Sequence, residues 1–318
     1  MPPEVSAVSA ATERKVVLVT RRTRLEELVA RYHTLAQARF YIEHLEADFS
    51  DYLRENAAYA ASLQVAVQAL QARGRYQIVD RAYLPNFVFA PDDIVVALGQ
   101  DGLVANTMKY LTGQALVGVN PEPSRWDGIL LPFQPKDLAS LLLDVAGERR
   151  AVKSVTMAEA RLSDGQALRA VNDLFIGPRT HTSALYDIQL GQRQESHSSS
   201  GIIVSTGLGS TAWMKSIVTG SLRIASALHV AGSKVAYTPL PWDTDHLVFA
   251  VREPFPSKSS AAELVYGSVT AKEPLRLRSR MPENGVIFSD GMESDYLRFT
   301  AGLEAKISVA QERGRLVL

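Results

Sequence analysis

Hydrophobic and polar positions follow two textures along this chain, and the change falls after Arg149. The first apolar run, KVVLVT at 15–20, is valine-rich and reads as a buried strand. A charged RRTRLEEL follows, and residues 25–72 are mostly helix formers with no glycine and no proline. Within them Ala60, Leu63, Val67 and Leu70 recur at helical spacing, which predicts an amphipathic helix that Gly74 ends. RYQIVD and PDDIVVALG read as two further strands. Leu103, Thr107 and Leu111 then share one helical face, with Val104 and Met108 beside them, and QALVGVN supplies a fourth strand. Strand, helix, strand, strand, helix, strand predicts an α/β domain with a mostly parallel sheet, and continuously apolar strands predict that both of its faces are covered.

Beyond Arg149, strand-length segments alternate with Gly, Pro, Ser and Asp turns. VKSVTMAEARL, ALRAVNDLFIG, SALYDIQLG, GIIVST, KVAYTPL, LVFAVREPF, LRLRSRM and GVIFSDGM all read this way, and GLEAKISVA and RGRLVL end the chain as strands. EPFPSKSS reads as an exposed loop. This half is predicted to be β-rich.

Composition narrows the chemistry. At 318 residues the chain can form a large core and two domains. Its 34 basic and 34 acidic residues balance, so it carries no overall basic footprint for nucleic acid. No stretch is apolar enough to span a bilayer. There is no cysteine, which excludes disulfides, thiolate metal sites and cysteine nucleophiles and fits a reducing compartment. The opening MPPEVSAVSAATERK lacks a long apolar core, so a loose tail rather than a secretory signal is expected there.

Three stretches carry candidate chemistry. In GQDG, Asp101 stands between Gly99 and Gly102, where a strand ends and a helix begins. The glycines permit a tight turn and close ligand approach, and the end of a sheet strand is where ligand crevices open. An ionised Asp101 suits a hydroxyl base or an indirect contact through a metal ion; the structural alternative is a capping turn. Neither GxGxxG nor GxxxxGK[ST] occurs, so any phosphate cradle must be of another kind. SSSGIIVSTGLGSTAWMKS offers Gly207, Gly209, Ser210 and Thr211 as a ring of amides and hydroxyls. A helix is expected from Thr211, and Trp213 can wall a flat ring; a glycine-serine turn with Trp213 in the core is the alternative. Between these stretches, Asn172 can donate and accept, whereas an ionised Asp173 only accepts; alone, the pair can also be an Asx turn.

In this order and at this spacing, GQDG, Asn172-Asp173 and TGLGSTAW resemble the NAD kinase family, whose pattern is GGDG, an Asn-Glu pair, and a Gly-Ser-Thr turn ending in alanine and an aromatic. VGVNPEPSRWDGILLPF resembles its “GVN” strand. SSSG, GSTAW, TRRTRLEEL and the long helical insert resemble the mitochondrial-type branch. The resemblance runs from Lys15 to Leu318. It implies a nucleotide kinase-like α/β domain over 1–148, a β-rich NAD-binding domain over 149–294, and strands over 295–318 that return to the first domain, with nucleotide bound between the domains. The implied activity moves the γ-phosphoryl of ATP to the 2′-hydroxyl of the adenosine ribose of NAD, forming NADP, with magnesium as cofactor. Asp101 would be the base. Gly99, Gln100, Gly102, Asn172, Asp173, Gly207, Gly209, Ser210, Thr211, Ala212 and Trp213 would bind nucleotide. A cytoplasmic homo-oligomer that binds neither nucleic acid nor membrane is expected, with no metal ligand assigned to the protein.

Departures from that pattern bear on turnover. Gln100 stands for the second glycine, where a side chain can donate to phosphate or clash if φ must be positive. Leu103 lacks the usual Thr hydroxyl, and Asp173 is one methylene shorter than Glu. Ser200 replaces the acid of the common bacterial branch, as in the mitochondrial type. A catalytically weak NAD(P)-binding regulator, or a kinase of another small hydroxyl compound, stays open. The six histidines lack zinc spacing; His181 and His197 are expected at the surface. Asp243, Asp245 and His246 sit where a family turn approaches nicotinamide or a partner subunit. Asp290, in FSDGM, is expected to be structural. Arg21, Arg22 and Arg24 follow the first strand and either meet phosphate or are solvated.

Overall fold

The computed structural model describes residues 14–230 and 236–318. The first thirteen residues of the expected tail lie outside them. The chain forms two compact units, one running to Lys153 and completed by Arg315–Leu318, the other Ser154–Gly314.

The first unit is α/β. Its strands are β1 (Val16–Thr20), β2 (Tyr76–Asp80), β3 (Ile94–Leu98), β4 (Leu116–Val119), β5 (Val152–Val155) and β18 (Gly314–Val317). They form one sheet in the order β2-β1-β3-β4-β18-β5. β1 pairs in parallel with β2 and β3, β3 with β4, and β4 with β18. Every residue of β1 and β3 is buried, as their unbroken apolar runs require. Because β1 lies between β2 and β3, the order reverses there, and the carboxyl ends of β1 and β3 flank a topological switch point.

The helical stretch expected over 25–72 is three helices: α1 (Arg24–Tyr32), α2 (Leu35–His44) and α3 (Phe49–Arg73). Thr23 and Glu26 form a capping box, Thr34 and Asp48 cap α2 and α3, and His33 breaks the chain at φ 68°. Gly74 caps α3 at φ 114°, where a side chain is disfavoured. Tyr59, Ala66 and Leu70 of α3 pack on Val16, Leu18, Ile94 and Val96. The same face is covered by α5 (Leu138–Ala146), which buries Leu138, Leu141, Leu142 and Val145. Pro135 and Gly147 flank it closely and obscure its helical spacing in the sequence. The helix after Gly99, α4 (Asp101–Met108), stops before Leu111, which is buried beyond its end.

The second unit is built from two antiparallel sheets. One contains β6 (Ala158–Leu162), β7 (Ala167–Ala170), β9 (Ala184–Leu190), β10 (Arg193–Ser199), β14 (Leu275–Ser279) and β17 (Glu304–Val309). The other contains β8 (Asp173–Pro178), β11 (Ile202–Ser205), β12 (His246–Val251), β13 (Tyr266–Thr270), β15 (Gly285–Ser289) and β16 (Met292–Arg298). Their inner faces share one core that includes Tyr186, Ile188, Ile202, Val204, Phe249, Leu277 and Ile307. On the other side of the second sheet, α6 (Trp213–Ala227) packs Met214 against Ile203, Val248 and Ala250.

Several details differ from the sequence reading. KVAYTPL is not a strand over 236–240, and Lys234 and Val235 lie outside the described residues. β10 and β13 are too polar in sequence for period-2 apolar alternation to reveal them. His197, expected at the surface, is fully buried on β10, its Nε2 2.9 Å from Glu195 Oε2 and its Nδ1 facing the Tyr186 hydroxyl at 3.5 Å. Of the strands placed over 295–318, only β18 joins the first unit's sheet; β16 and β17 belong to the second unit. Among the described residues no helix is long and apolar enough to cross a membrane.

Candidate functional site

Unit one holds the GQDG turn at the end of β3. Gln100 is the N-cap of α4, with no side-chain capping bond, and Asp101 is the helix's first residue. Asp101 does not cap its own helix. Its Oδ1 accepts the backbone N–H of Leu130 at 2.8 Å. The carboxyl is half-buried, and its Oδ2 has no partner among the described residues. An acceptor oxygen open on one side is what a base needs to reach a hydroxyl proton.

Gln100 has φ −115°, which any residue adopts, so this turn does not need glycine there. Nothing lies within 4 Å of where a Gly102 Cβ would stand, which leaves room for a ligand over the start of α4. At Gly99 a Cβ would meet the Leu103 side chain at 2.8 Å, so glycine there lets the first turn of α4 pack over the end of β3.

Two of the three cations after β1 are held in ion pairs rather than left for phosphate. Arg21 is buried and donates to Glu55 at 2.9 Å, and Arg24 donates to Glu55 and Asp51 at 2.7 Å each. Burial pushes the Glu55 carboxyl up, but its hydrogen bonds and charge contacts with Arg24 and Arg21 outweigh that and hold it below the ordinary carboxylate range. Arg22 alone is exposed.

Unit two brings the other two stretches together. The Asn172-Asp173 pair is held by Asp290, whose carboxylate accepts the amides of Val171, Asn172 and Asp173. Asp290 N–H in turn donates to Asp173 O at 3.0 Å. Asp290 therefore shapes the turn from a left-handed conformation at φ 53°. The half-buried Asn172 side chain is left without a hydrogen-bond partner among the described residues.

The TGLGSTAW turn packs against that pair. Thr206 donates its N–H to Asn172 O and its hydroxyl to Val171 O. A Cβ on Gly209 would lie 2.0 Å from Asn172 O, and one on Gly207 would lie 1.8 Å from Pro241 O. Both glycines are thus required by chain crossing. The expected ring of amides and hydroxyls is not formed. The amides of Gly209, Ser210 and Ala212 are taken by Thr206 and Gly209, and the buried Ser210 hydroxyl donates to Gly207 O and accepts from Leu240. Thr211 bonds back to Leu208 O through both its amide and its hydroxyl, while Thr211, Ala212 and Trp213 stay exposed. The physical reason is local: a short 3-10 turn at Gly209–Thr211 uses its own donors before α6 begins at Trp213.

Trp213 leaves the core and forms a wall. It stacks on Phe175 at 6.0 Å with an interplanar angle of 6°, and Phe175 stacks on Phe288 at 6.2 Å. Arg252 sits 5.4 Å from the Trp213 ring centroid and Arg179 sits 4.0 Å from that of Tyr296. Asp173, Phe175, Trp213, Phe288, Arg179 and Arg252 line a pocket of about 280 Å³. The Asp173 side chain is buried and has no hydrogen-bond partner among the described residues. Burial, reinforced by the charge of Asp290, pushes its carboxyl up to about 7. Near neutrality it can therefore donate as well as accept. The sequence reading missed Phe175, Phe288, Arg179 and Arg252. Period-2 alternation on β8 puts Phe175 opposite buried Leu174 and Ile176, but only the β8–β15 register sets Phe288 beside it.

The remaining candidates scatter. His181 is exposed, His246 contacts Thr244 and Asp245, and Asp243 is exposed with its carbonyl accepting from Arg313. Among the described residues no group of three His, Asp or Glu could by itself hold a metal ion.

No family model matches the chain. Among curated proteins, an NAD kinase of Chlorobium phaeobacteroides is 30% identical over 129 residues, 39% of this chain and 44% of that protein. An NAD kinase of Chlorobaculum tepidum is 28% identical over 127 residues, with the same shares covered. The match thus spans less than half the length of either relative. Among solved structures, yeast NADH kinase complexed with NADH aligns with 96% of this chain and 83% of its own at TM-score 0.54 and 13% identity. An Archaeoglobus fulgidus NAD kinase in complex with ATP aligns with 95% of this chain and 93% of its own at TM-score 0.53 and 15% identity. The fold, a parallel α/β unit followed by an antiparallel β-rich one, is that of these kinases.

Proposed function

We propose that this chain is an NAD kinase: it transfers the γ-phosphoryl of ATP to the 2′-hydroxyl of the adenosine ribose of NAD, giving NADP and ADP. The observation that carries the reading is Asp101, with one carboxylate oxygen held by Leu130 and the other without a partner among the described residues. That second oxygen takes the hydroxyl proton. The ribose oxygen then bonds to the γ-phosphorus as the bond to the bridging oxygen breaks, and ADP leaves with that electron pair. The pocket of Phe175, Trp213 and Asp173 suits a planar heterocycle, with stacking on the rings and a hydrogen bond at the carboxyl. The likeness to NAD kinases in part of the sequence and in the fold supports the same choice.

Magnesium, if bound with the donor, would be held mainly by its phosphates and would supply charge neutralisation there. Such an ion would need few protein ligands, consistent with no group of three His, Asp or Glu able to hold a metal among the described residues. Gly99, Gln100 and Gly102 would face the phosphates. Asn172, Asp173, Thr211, Ala212 and Trp213 would meet the nucleoside, with Gly207, Gly209 and Ser210 holding the turn that presents them. The same reading makes the protein a cytoplasmic homo-oligomer with nucleotides as its partners.

Incubation with NAD, ATP and Mg²⁺ tests this directly. NADP should accumulate, and Asp101→Asn should abolish it with the circular dichroism spectrum unchanged. No NADP with ATP, other triphosphates or polyphosphate would overturn the reading.

A further inference from the structure

Two chains of contacts within the first unit reach the segments on either side of Asp101, each completed by a few residues of backbone. One arm starts at β4. Gly118 has Leu130 O where its Cβ would be, at 1.9 Å, so the 120–131 segment can lie against the strand only because that position is glycine. Asn120 ties the segment together, donating to Trp126 O at 2.9 Å and accepting from Glu122 N at 3.0 Å. The segment is clamped to α3 at two places: Ser62 donates to Pro121 O at 2.8 Å, and Arg125 donates to Asp51 Oδ2 at 3.0 Å. Leu130 N–H, at the far end, meets Asp101.

The other arm leaves Asp51 in the opposite direction. Arg125, Asp51, Arg24, Glu55 and Arg21 alternate in sign, each paired with the next. Arg21 then lies against Gly99, two positions before Asp101. Tyr59 ties this arm to the end of β3: its hydroxyl accepts from Arg21 N and donates to Leu98 O, at 3.1 Å each. The two arms hold the GQDG turn from both sides, and Asp51 is the residue they share.

We propose that Leu130, Arg125 and Asp51 are positioning residues for the base: the Arg125–Asp51 pair sets the Leu130 amide, and that amide fixes Asp101 Oδ1 so that Oδ2 alone receives the proton. The proposal rests on Asp101 being the base of the transfer. A general base works only within hydrogen-bond reach, and a displacement of about 1 Å can cost about a hundredfold in rate. Hydrogen bonding by Arg125 and then Arg24 holds the Asp51 carboxyl well below the ordinary range, so the pair stays charged wherever the protein is folded near neutrality.

The test uses the full chain in two measurements. In steady-state kinetics with NAD, ATP and Mg²⁺, Asp51→Ala and Arg125→Ala should each lower kcat by about tenfold or more, with KM for both nucleotides unchanged. The double variant should be no worse than either alone, and Arg125→Lys should recover part of the loss. Arg149→Ala, at the exposed Arg149–Asp144 pair, should change nothing. In two-dimensional amide NMR, the Leu130 resonance should move in Asp101→Ala and also in Asp51→Ala and Arg125→Ala, but not in Arg149→Ala. If NADP forms yet the Asp51 and Arg125 variants keep kcat within twofold, the positioning role is overturned. It is equally overturned if the Leu130 resonance ignores Asp51 and Arg125. If no NADP forms while the resonance responds, the NAD kinase reading fails and the coupling of the pair to Asp101 stands.

Discussion

Asp290 accepts the Asn172 N–H at 2.6 Å, joining two residues 118 positions apart in the chain. The same carboxylate takes the amides of Val171 and Asp173, so one side chain closes a turn with three backbone donors. Hydrogen bonds to a charged acceptor contribute roughly 1.5–3 kcal/mol each, and buried donors left without one cost comparable amounts. Asp290→Ala should therefore destabilise the second unit by about 3 kcal/mol or more in urea unfolding. Asp290→Asn keeps one acceptor and tolerates the left-handed φ, so it should lose less than half as much. Equal losses would show that the carboxylate's charge, not its geometry, holds the turn.

Asp173 carries the pH dependence. Its folded-state value of about 7 lies above the ordinary 3.8, so the native state binds this proton more tightly than the unfolded chain does. The associated stability is fully present below about pH 4 and is lost as pH rises through 7. The difference is on the order of 4 kcal/mol. Asp173→Asn should flatten that part of the pH–stability curve and raise the melting temperature at pH 8. A wild-type curve flat between pH 4 and 8, after other titrations are subtracted, would contradict this assignment.

The glycines of the two turns should behave in opposite ways. Gly207→Ala and Gly209→Ala place a methyl group against backbone oxygens at 1.8 and 2.0 Å and should cost about 3 kcal/mol or more, or prevent folding. Gly102→Ala meets nothing, and in the first turn of a helix it should stabilise the protein by roughly 0.5–1 kcal/mol. In the kinase reading it still lowers NADP formation, because the methyl group enters the space left for phosphate. Thermal melts paired with rate measurements separate the two effects.

Trp213 reports on the second pocket. It is 38% exposed and stacked on Phe175, so a heterocycle entering the pocket alters its surroundings. Titration with NAD should quench tryptophan fluorescence, and Trp213→Phe should remove that signal while weakening affinity only a few fold, because a ring still faces Phe175. Quenching that persists in Trp213→Phe would assign it to Trp126 or Trp242 instead.

Local pattern determined much of this protein. The unbroken apolar runs of β1 and β3, the helical spacing of Leu63, Val67 and Leu70, and Gly74 as a stop all act over a few residues, and all were legible in order. The alternating segments after Arg149 announced an antiparallel β-rich half for the same reason. The helix breaks at His33 and Asp48 were not legible, because neither is glycine or proline: His33 turns left-handed before the Thr34 cap, and Asp48 caps α3 with its side chain.

The fates of individual site residues were decided only by tertiary structure. Asp101 could have capped its own helix until Leu130, 29 positions later, supplied the donor it bonds. Gly207 and Gly209 have the composition of a phosphate cradle, yet Pro241 and Asn172 cross them and their turn's donors are used internally. Arg21 and Arg24 resemble phosphate ligands until Glu55 and Asp51, one helix away, claim them. Burial of Asp173 and its approach to Asp290 turn an ordinary acid into one that titrates near neutrality. A residue's type fixes which bonds it can make, but its partner is whichever group the folded chain brings within about 3 Å, and that distance is written in no local stretch of sequence.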